Sequence, residues 1–381
     1  MKILHVSDTH LGYSAYRKVT EDGVNQREID AYDAFKQFVD YAIKSKPDIV
    51  IHAGDLFDSV RPNNRAITFA IEQIIRLSKK DIPFVVIAGN HEHPKLKETG
   101  HIFSVFGHID QVYPIYNAKY ETLPLSINKE KITIHAIPQC ELKKQFDEEL
   151  KKIKVDSKSD YNIFLSHGAV TGIKEFSMNE FNELVIPTKI IEKDFDYVAL
   201  GHYHKYTKLS DNAFYSGSTE RFTFVDAEDK KGFIELELRD GKLKHTFVEL
   251  KNRPMVDQKP VKCSNLRLDE VMKKIKQIIR EIEPSGKTFR ITLENIPVNI
   301  YRGLDFSEIR KMSSEAVHCE IKANVSKEDE LRPSATSKID ALANEFKRFL
   351  GNQDLDEKET LLELGIGYIE KIEARAEKND T

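Results

Sequence analysis

The chain has 381 residues, 40% of them hydrophobic and 31% charged, with a formal net charge of −4. This is an ordinary globular composition, able to bury a core and long enough for two or three domains. No apolar run approaches the roughly 20 residues of a membrane span, and three scattered cysteines, Cys140, Cys263 and Cys319, fit a reducing compartment and neither a disulfide framework nor a thiolate metal site.

The predicted elements begin at the first residue. Ile3-Leu4-His5-Val6 reads as a buried strand, not as a cleavable signal, and runs into Asp8-Thr9-His10. A helix is expected from Glu28 to Ser45, and Pro47 marks the entry to a second strand, Ile49-Val50-Ile51. That strand ends in Gly54-Asp55-Leu56-Phe57-Asp58. A second helix, Asn63 to Lys79, leads past Pro83 to Phe84-Val85-Val86-Ile87 and then Gly89-Asn90-His91-Glu92. Two further apolar runs end the same way: Ile163-Phe164-Leu165 in Ser166-His167-Gly168, and Tyr197-Val198-Ala199-Leu200 in Gly201-His202-Tyr203-His204. Phe214 to Ser216, Phe233 to Leu238 and Lys244 to Leu250 look like antiparallel strands, with Asp240-Gly241 as a hairpin turn.

Arg253-Pro254 marks a boundary. Residues 257–326 form a compact mixed unit, with helices Leu268 to Ile282 and Phe306 to Met312 and strands Arg290 to Leu293 and Val317 to Val325. Pro284-Ser285-Gly286-Lys287-Thr288 looks like the end of a phosphate loop, but it lacks the required glycine at Glu281 and precedes a strand, so it is a turn. Ser326 to Ser337 has linker composition. Beyond it Ile339, Leu342, Ala343, Phe346, Phe349 and Leu350 make one helical stripe, and Leu361, Leu362, Tyr368, Ile369 and Ile372 a second. Two short helices do not bury both stripes against each other, so they dock on the body or, behind a linker, on a partner's helices.

A strand that ends in a ligand and a glycine turn puts a hard side chain at the sheet edge. Five such ends side by side converge on the crevice where open α/β sheets bind. Asp8 and His10, two apart, share one face, as do His202 and His204. Asp55 suits a bridging carboxylate, Asn90 offers an amide oxygen, and His167 completes a second site. This is the donor set of a two-metal phosphoesterase, in which paired ions make a nucleophile and neutralise the phosphate. Such a pair adds four positive charges to the cleft, so the negative net charge does not argue against a nucleic-acid substrate.

The five motifs match the pattern D-x-H, G-D-x-x-D, G-N-H-[DE], H, G-H-x-H, and the chain resembles the calcineurin-like metallophosphoesterases. Within them Asp8-Thr9-His10-Leu11-Gly12, Gly54-Asp55-Leu56-Phe57, Leu200 to His204, Tyr215 to Arg221 and Phe247 to Leu250 with Arg253-Pro254 resemble the SbcD-type nucleases, prokaryotic relatives of the meiotic-recombination-eleven repair nuclease. The resemblance covers about the first 256 residues. It implies an α/β (α+β) fold: a layered βαβ sandwich over residues 1–256, a small α/β capping domain that binds DNA over 257–326, and a linker with a C-terminal helix pair over 327–381. It puts Asp8, His10, Asp55 and His204 on one metal and Asp55, Asn90, His167 and His202 on the other, with two Mn²⁺ per chain. His91 is then the catalytic residue beside the scissile phosphate and not a ligand.

The implied activity is repair of DNA double-strand breaks, by 3′ to 5′ duplex exonuclease and single-strand or hairpin endonuclease action. The implied partner is an SbcC-type coiled-coil ABC ATPase, held by the helix pair. The resemblance also implies homodimerisation through helices near 63–79 and 96–109, the second with an apolar face of Phe103, Phe106 and Ile109. A cytoplasmic, nucleoid-associated prokaryotic protein, archaeal by preference, completes the expectation. A phosphatase or small-molecule phosphodiesterase, and a non-catalytic scaffold, are the alternatives. Protein phosphatases of this superfamily carry Asp-Arg-Gly where Asp58-Ser59-Val60 stands, and scaffolds lack ligands that are all present here.

Asp58 itself occupies a place where many relatives have histidine, and it is expected to orient a ligand. His5, His52 and His135 read as core residues, and His93, His101 and His108 as surface, with His93 also a candidate for substrate contact. The basic stretches Tyr16-Arg17-Lys18, Arg61 to Arg65 and Lys95 to Lys97 follow metal motifs closely and are candidate phosphate contacts.

Overall fold

The computed structural model describes residues 1–94, 100–171, 184–325, 346, 350 and 358–379. The chain divides into two compact units. One comprises Met1–Lys259, Lys274–Ile291 and Phe306–Ile321, the other Pro260–Lys273, Thr292–Asp305 and Lys322–Thr381.

In chain order the first unit opens with β1 (Lys2–Val6), α1 (Gln26–Ser45), β2 (Ile49–His52), α2 (Asn64–Ser78), β3 (Phe84–Ile87) and β4 (Val112–Ile115). There follow β5 (Glu121–Ile127), β6 (Glu130–Ile137), α3 (Lys143–Lys151), β7 (Tyr161–His167), β8 (Ala169–Val170), β9 (Val185–Ile186), α4 (Thr188–Ile191) and β10 (Tyr197–Gly201). Then come β11 (Thr207–Lys208), β12 (Ala213–Tyr215), β13 (Gly232–Arg239) and β14 (Lys242–Glu249). Later segments are β15 (Met255–Lys262), α5 (Leu268–Ile282), β16 (Thr288–Ile296), α6 (Val298–Arg302), α7 (Phe306–Met312), β17 (His318–Val325) and α8 (Lys358–Asn379).

Two six-stranded sheets stack, in the orders β14-β13-β1-β2-β3-β4 and β11-β12-β10-β7-β6-β5. Alternation along the strands explains the layers. Ile3, Ile49, Ile51, Val85 and Ile87 of the first sheet meet Ile134, Ile163, Leu165 and Ala199 of the second in one buried cluster. Leu4, Val50, Phe84 and Val86 point the other way, onto Phe35, Phe38, Ala70 and Ile74 of α1 and α2. Phe164, Val198 and Leu200 do the same toward Phe146 of α3 and Ile190 of α4. The result is a four-layer α/β sandwich whose central strands, buried on both faces, read as uninterrupted apolar runs. β1, β2, β3 and β4 are parallel, as are β6, β7, β10 and β12. All five motifs therefore stand at carboxyl ends of parallel strands.

Asn25 and Asn63 cap α1 and α2 with side-chain bonds to Arg27 N and Ala66 N. Asp240 and Gly241 take φ of +51° and +69°, the two-residue turn expected between β13 and β14. β12 departs from expectation: it is antiparallel only to β11 and runs parallel to β10, because the segment from β10 to β12 reverses direction twice. The Pro284 to Thr288 segment is a turn from α5 into β16, as expected. β15, β16 and β17 form a three-stranded sheet in the order β15-β16-β17.

A second correction concerns residues 96–109. A 3-10 helix covers Ile102–His108, and Phe103 and Phe106 lie fully buried in the chain's own core, with Ile109 packed against it. The expected apolar dimer face is thus spent inside the molecule. In the second unit the Phe346 ring lies over Gly365 of α8, 2.1 Å from where a Cβ would stand. Leu361, Leu364 and Tyr368 on α8 are exposed. The expected stripe from Ile339 to Leu350 falls, apart from Phe346 and Leu350, outside the described residues, as does Ile372's side chain.

Candidate metal centre

β1 ends at Val6, and Asp8 and His10 follow on a loop that bonds back to the end of β2, through Asp8 N to Gly54 O and His10 N to Asp55 O. Asp8 and His10 stand at φ of +51° and +44°, Asp55 at +54° and His202 at +108°. Left-handed backbone at non-glycine residues costs about 1–3 kcal/mol each and persists only where the surroundings impose it. Here it turns side chains from several strand ends onto one point.

The donor atoms converge. Asp8, His10 and His204 form one group whose ligand atoms lie within 4.8 Å of each other, and Asp8, Asp55 and His167 form another. Two carboxylates between two imidazole clusters is the arrangement a bridged ion pair needs. His10 Nε2 and His204 Nε2 point at each other 3.2 Å apart. Two imidazoles bound to one divalent ion through bonds of about 2.1 Å stand about this far apart. On the other side His167 Nε2 is 3.1 Å from Asp55 Oδ2 and 2.9 Å from Asn90 Oδ1, and His202 Nδ1 is 3.3 Å from the same amide oxygen. The seven residues fit a pair of divalent ions.

Outer partners hold these donor side chains. His167 Nδ1 donates to Ala53 O at 2.8 Å, which leaves Nε2 facing the centre. His202 N donates to Asp8 Oδ1 at 3.0 Å, and Ser7 Oγ donates to Asp8 Oδ2. Asp58 Oδ1 stands 3.3 Å from His10 Nδ1, the ligand-orienting place expected of it. Glu92, fully buried, accepts from Gly89 N at 3.0 Å and Leu56 N at 3.3 Å, and so ties the end of β3 to the end of β2. Burial, then the neighbouring Asp55 charge, push the Glu92 carboxyl well above its usual range.

Charge is concentrated here. Burial would raise the Asp55 carboxyl, but the His167, His10 and His91 rings pull it well below the ordinary value. Burial would lower His167, yet the Asp55 and Asp8 carboxylates lift it to about 10. A proton on His167 thus takes the charge-balancing place that a cation would fill.

His91 N donates to Asp55 Oδ1 at 3.0 Å, and His91 Nδ1 lies 3.0 Å from Asp58 O. Its side chain is 38% exposed, far more open than the buried ligands, so it faces the cleft. Burial lowers its pKa, but Asp55, Asp58 O and the Asp58 carboxylate together raise it above the ordinary histidine value. Its ring also comes within ligand range of His10 and Asp55.

His5 bonds Tyr197 Oη at 2.8 Å, His52 bonds Thr9 Oγ1 at 3.1 Å and His135 bonds Asn162 Oδ1 at 2.9 Å, all in the core as expected. Burial takes His5 and His52 down to about 3. His108 is exposed, but His93 and His101 are half-buried, which corrects the surface reading: His101 stacks on Tyr116 at 4.8 Å and accepts from Phe103 N as a helix cap. Arg17, Lys18 and Arg61 are exposed, Arg65 pairs with Glu28 at 3.3 Å, and Lys95 to Lys97 lie outside the described residues.

Sequence reasoning missed Ser7, Asp226 and Lys231. Lys231 is fully buried and donates to His204 O at 2.7 Å and Asp226 Oδ1 at 2.8 Å. Burial works against the Asp226 charge, but His204 and Lys231 hold its carboxyl below the usual range.

A four-layer α/β sandwich with His, Asp and Asn donors gathered at its strand ends defines a metal-dependent phosphoester hydrolase. The chain belongs to the calcineurin-like phosphoesterase family, which matches residues 1–206. It is similar to the DNA double-strand break repair protein Mre11 of Methanococcus maripaludis, 28% identical over 93% of this chain and 92% of that one. The Mre11 proteins of Sulfurisphaera tokodaii and Saccharolobus solfataricus are 37% and 35% identical, over 53% and 55% of this chain. In those two alignments the chain spans about half of the relative, 49% and 51%.

Proposed function

We propose that the chain is a metal-dependent DNA nuclease of the Mre11/SbcD type that processes double-strand breaks with two Mn²⁺ ions. The observation that carries this is the meeting of seven donor side chains and the open His91 at the ends of five strands. The similarity to Mre11 proteins, one along nearly the whole chain, supports DNA as the substrate.

When bound, the ions supply Lewis acidity and a nucleophile at neutral pH. Asp8, His10, Asp55 and His204 hold the first ion in this reading, and Asp55, Asn90, His167 and His202 the second. Asp55 and the Asp58 groups favour the His91 proton against the opposing effect of burial. Asp58 O engages Nδ1, so Nε2 delivers the proton to the leaving oxygen or stabilises charge on the phosphate. The exposed Arg17, Lys18 and Arg61 meet the DNA backbone.

The finer parts of the proposal are 3′ to 5′ duplex degradation, cutting of single strands and hairpins, and a three-part chain of nuclease body, capping domain and helix pair. The helix pair grips an SbcC-type ATPase, and the exposed Leu361, Leu364 and Tyr368 of α8 suit that contact. Homodimerisation then rests on α2, where Ile67, Ile71 and Ile75 are half-exposed at four-residue steps. Among the described residues no helix is long and apolar enough to cross a membrane. A cytoplasmic, nucleoid-associated place in an archaeal cell belongs to the same reading.

The test is cleavage of end-labelled duplex and single-stranded DNA in Mn²⁺, Mg²⁺ or EDTA beside His91→Ala. Mn²⁺-dependent cleavage lost in the variant supports the reading. Hydrolysis of bis-p-nitrophenyl phosphate with no DNA cleavage, alone or with the ATPase, overturns the substrate assignment.

A further inference from the structure

Lys231 has a fully buried side chain, an expensive place for an ammonium unless its partners are fixed. It has three: His204 O at 2.7 Å, Asp226 Oδ1 at 2.8 Å and Asp229 Oδ2 at 3.7 Å. Asp226 is held as firmly. Its Oδ2 accepts from Phe222 N at 3.1 Å, Thr223 N at 2.9 Å and Thr223 Oγ1 at 3.2 Å, which locks the carboxylate on a 3-10 turn. The same Oδ2 faces His204 Nδ1 at 3.9 Å, while His204 Nε2 points to His10 Nε2.

We propose that Asp226 and Lys231 are positioning residues for the first metal: Asp226 fixes the tautomer and aim of His204 through Nδ1, and Lys231 fixes both Asp226 and the His204 backbone. This rests on the two-metal reading above. A ligating histidine commonly gives its other N–H to a carboxylate, which sets the ring and raises its basicity. The 3.9 Å separation is beyond a hydrogen bond, and such contacts commonly tighten when a site is loaded.

The two halves of the centre differ in how they are held. His167, on the second metal, is oriented by a backbone carbonyl, Ala53 O. His10 and His204, on the first, face the carboxylates of Asp58 and Asp226. Loss of Asp226 therefore weakens one ion and spares the other. A purely structural role for the buried pair does not discriminate between them.

The experiment is titration of the full chain with Mn²⁺ by calorimetry, for wild type and Asp226→Asn, with far-UV spectra of both. The expected result is two bound ions in wild type, and in the variant a loss of about 10–100-fold in affinity for one ion with the other unchanged. The intact second ion also certifies the fold. Unchanged affinity for both ions, or equal weakening of both in a folded variant, overturns the proposal. If Asp226→Asn loses its folded spectrum, Thr223→Ala takes its place in the titration. It removes one bond to the same carboxylate and weakens the same ion by a smaller factor, and unchanged binding in it overturns the proposal. A wild type that binds no pair of ions refutes the two-metal reading itself, a distinct outcome.

Discussion

Asp55 and His167 stand 3.1 Å apart, fully buried, although one follows β2 of the first sheet and the other ends β7 of the second. The centre therefore pins the two sheets together, and its charge state enters the stability of the sandwich. Without metal, burial lowers the His167 pKa but Asp55 and Asp8 lift it from 6.5 to about 10. A raised folded-state pKa contributes stability that is fully present below pH 6.5 and lost as pH rises through about 10. In EDTA, the thermal midpoint is expected to fall across that window. In the two-metal reading a bound divalent ion displaces the proton, so metal affinity rises over the same range and proton release accompanies binding. Melts in EDTA and Mn²⁺ against pH check both. A flat EDTA profile sinks the account.

His91→Ala is expected to lower cleavage by about 10²–10⁴-fold, the usual contribution of a positioned acid or base. Its side chain is 38% exposed and its ring sits outside the two donor clusters that contain Asp8, so folding and the bound-metal count should survive. A His91 proton delivered in the reaction makes wild-type activity fall at alkaline pH, and the variant should lack that limb. Metal analysis of the purified variant separates the roles: one lost ion per chain would make His91 a ligand.

Much of this site was legible because buried parallel strands are continuous apolar runs, and five of them here, β1, β2, β3, β7 and β10, lead into a named donor. α5 and α7 have the bounds their apolar spacing suggests, and α1 and α2 begin and end within two residues of expectation. The parts that were not legible depend on contacts across the chain. Asp226-Ala227-Glu228-Asp229-Lys230-Lys231 is five charged residues in six with no local mark of burial, yet Lys231 is fully buried and donates to His204 O. Phe103 and Phe106 have the spacing of an outward apolar face, and only tertiary packing reveals Phe57 beneath them. A local pattern states that a face is apolar, not what covers it.

Gly89→Ala tests how closely the strand ends must approach. A Cβ at residue 89 would stand 2.1 Å from Asp55 Oδ1 and 2.5 Å from Asp55 N. Both atoms belong to Asp55, so the residue must shift from its place in the donor group. Overpacking of this kind costs about 1–3 kcal/mol, which a sandwich with three buried clusters tolerates. The expected variant is folded but binds Mn²⁺ poorly. Calorimetry beside a far-UV melt checks it, and wild-type metal affinity would refute the steric argument.

Asp30 is a stability element away from the metals. Its carboxylate takes Arg253 in two bonds of 2.7 Å, from Nε and Nη2, and Arg27 Nη1 at 2.6 Å. Arg27, almost fully buried, also donates to Arg221 O and lies 3.5 Å from Glu220 Oε1. Arg253 reaches on to Gly286 O at 2.7 Å. Asp30→Ala leaves Arg253 without its carboxylate and the interior Arg27 with Glu220 alone. Removing one partner of a buried ion pair costs about 3–5 kcal/mol, and the partial exposure of Arg253 places this variant at the lower end. Urea melts in EDTA should show that loss of stability, with an unchanged slope. Mn²⁺ affinity in the folded variant should match wild type, because none of the network's groups touches the donors. A loss below about 1 kcal/mol, the range of a surface pair, would mean that solvent already screens the network.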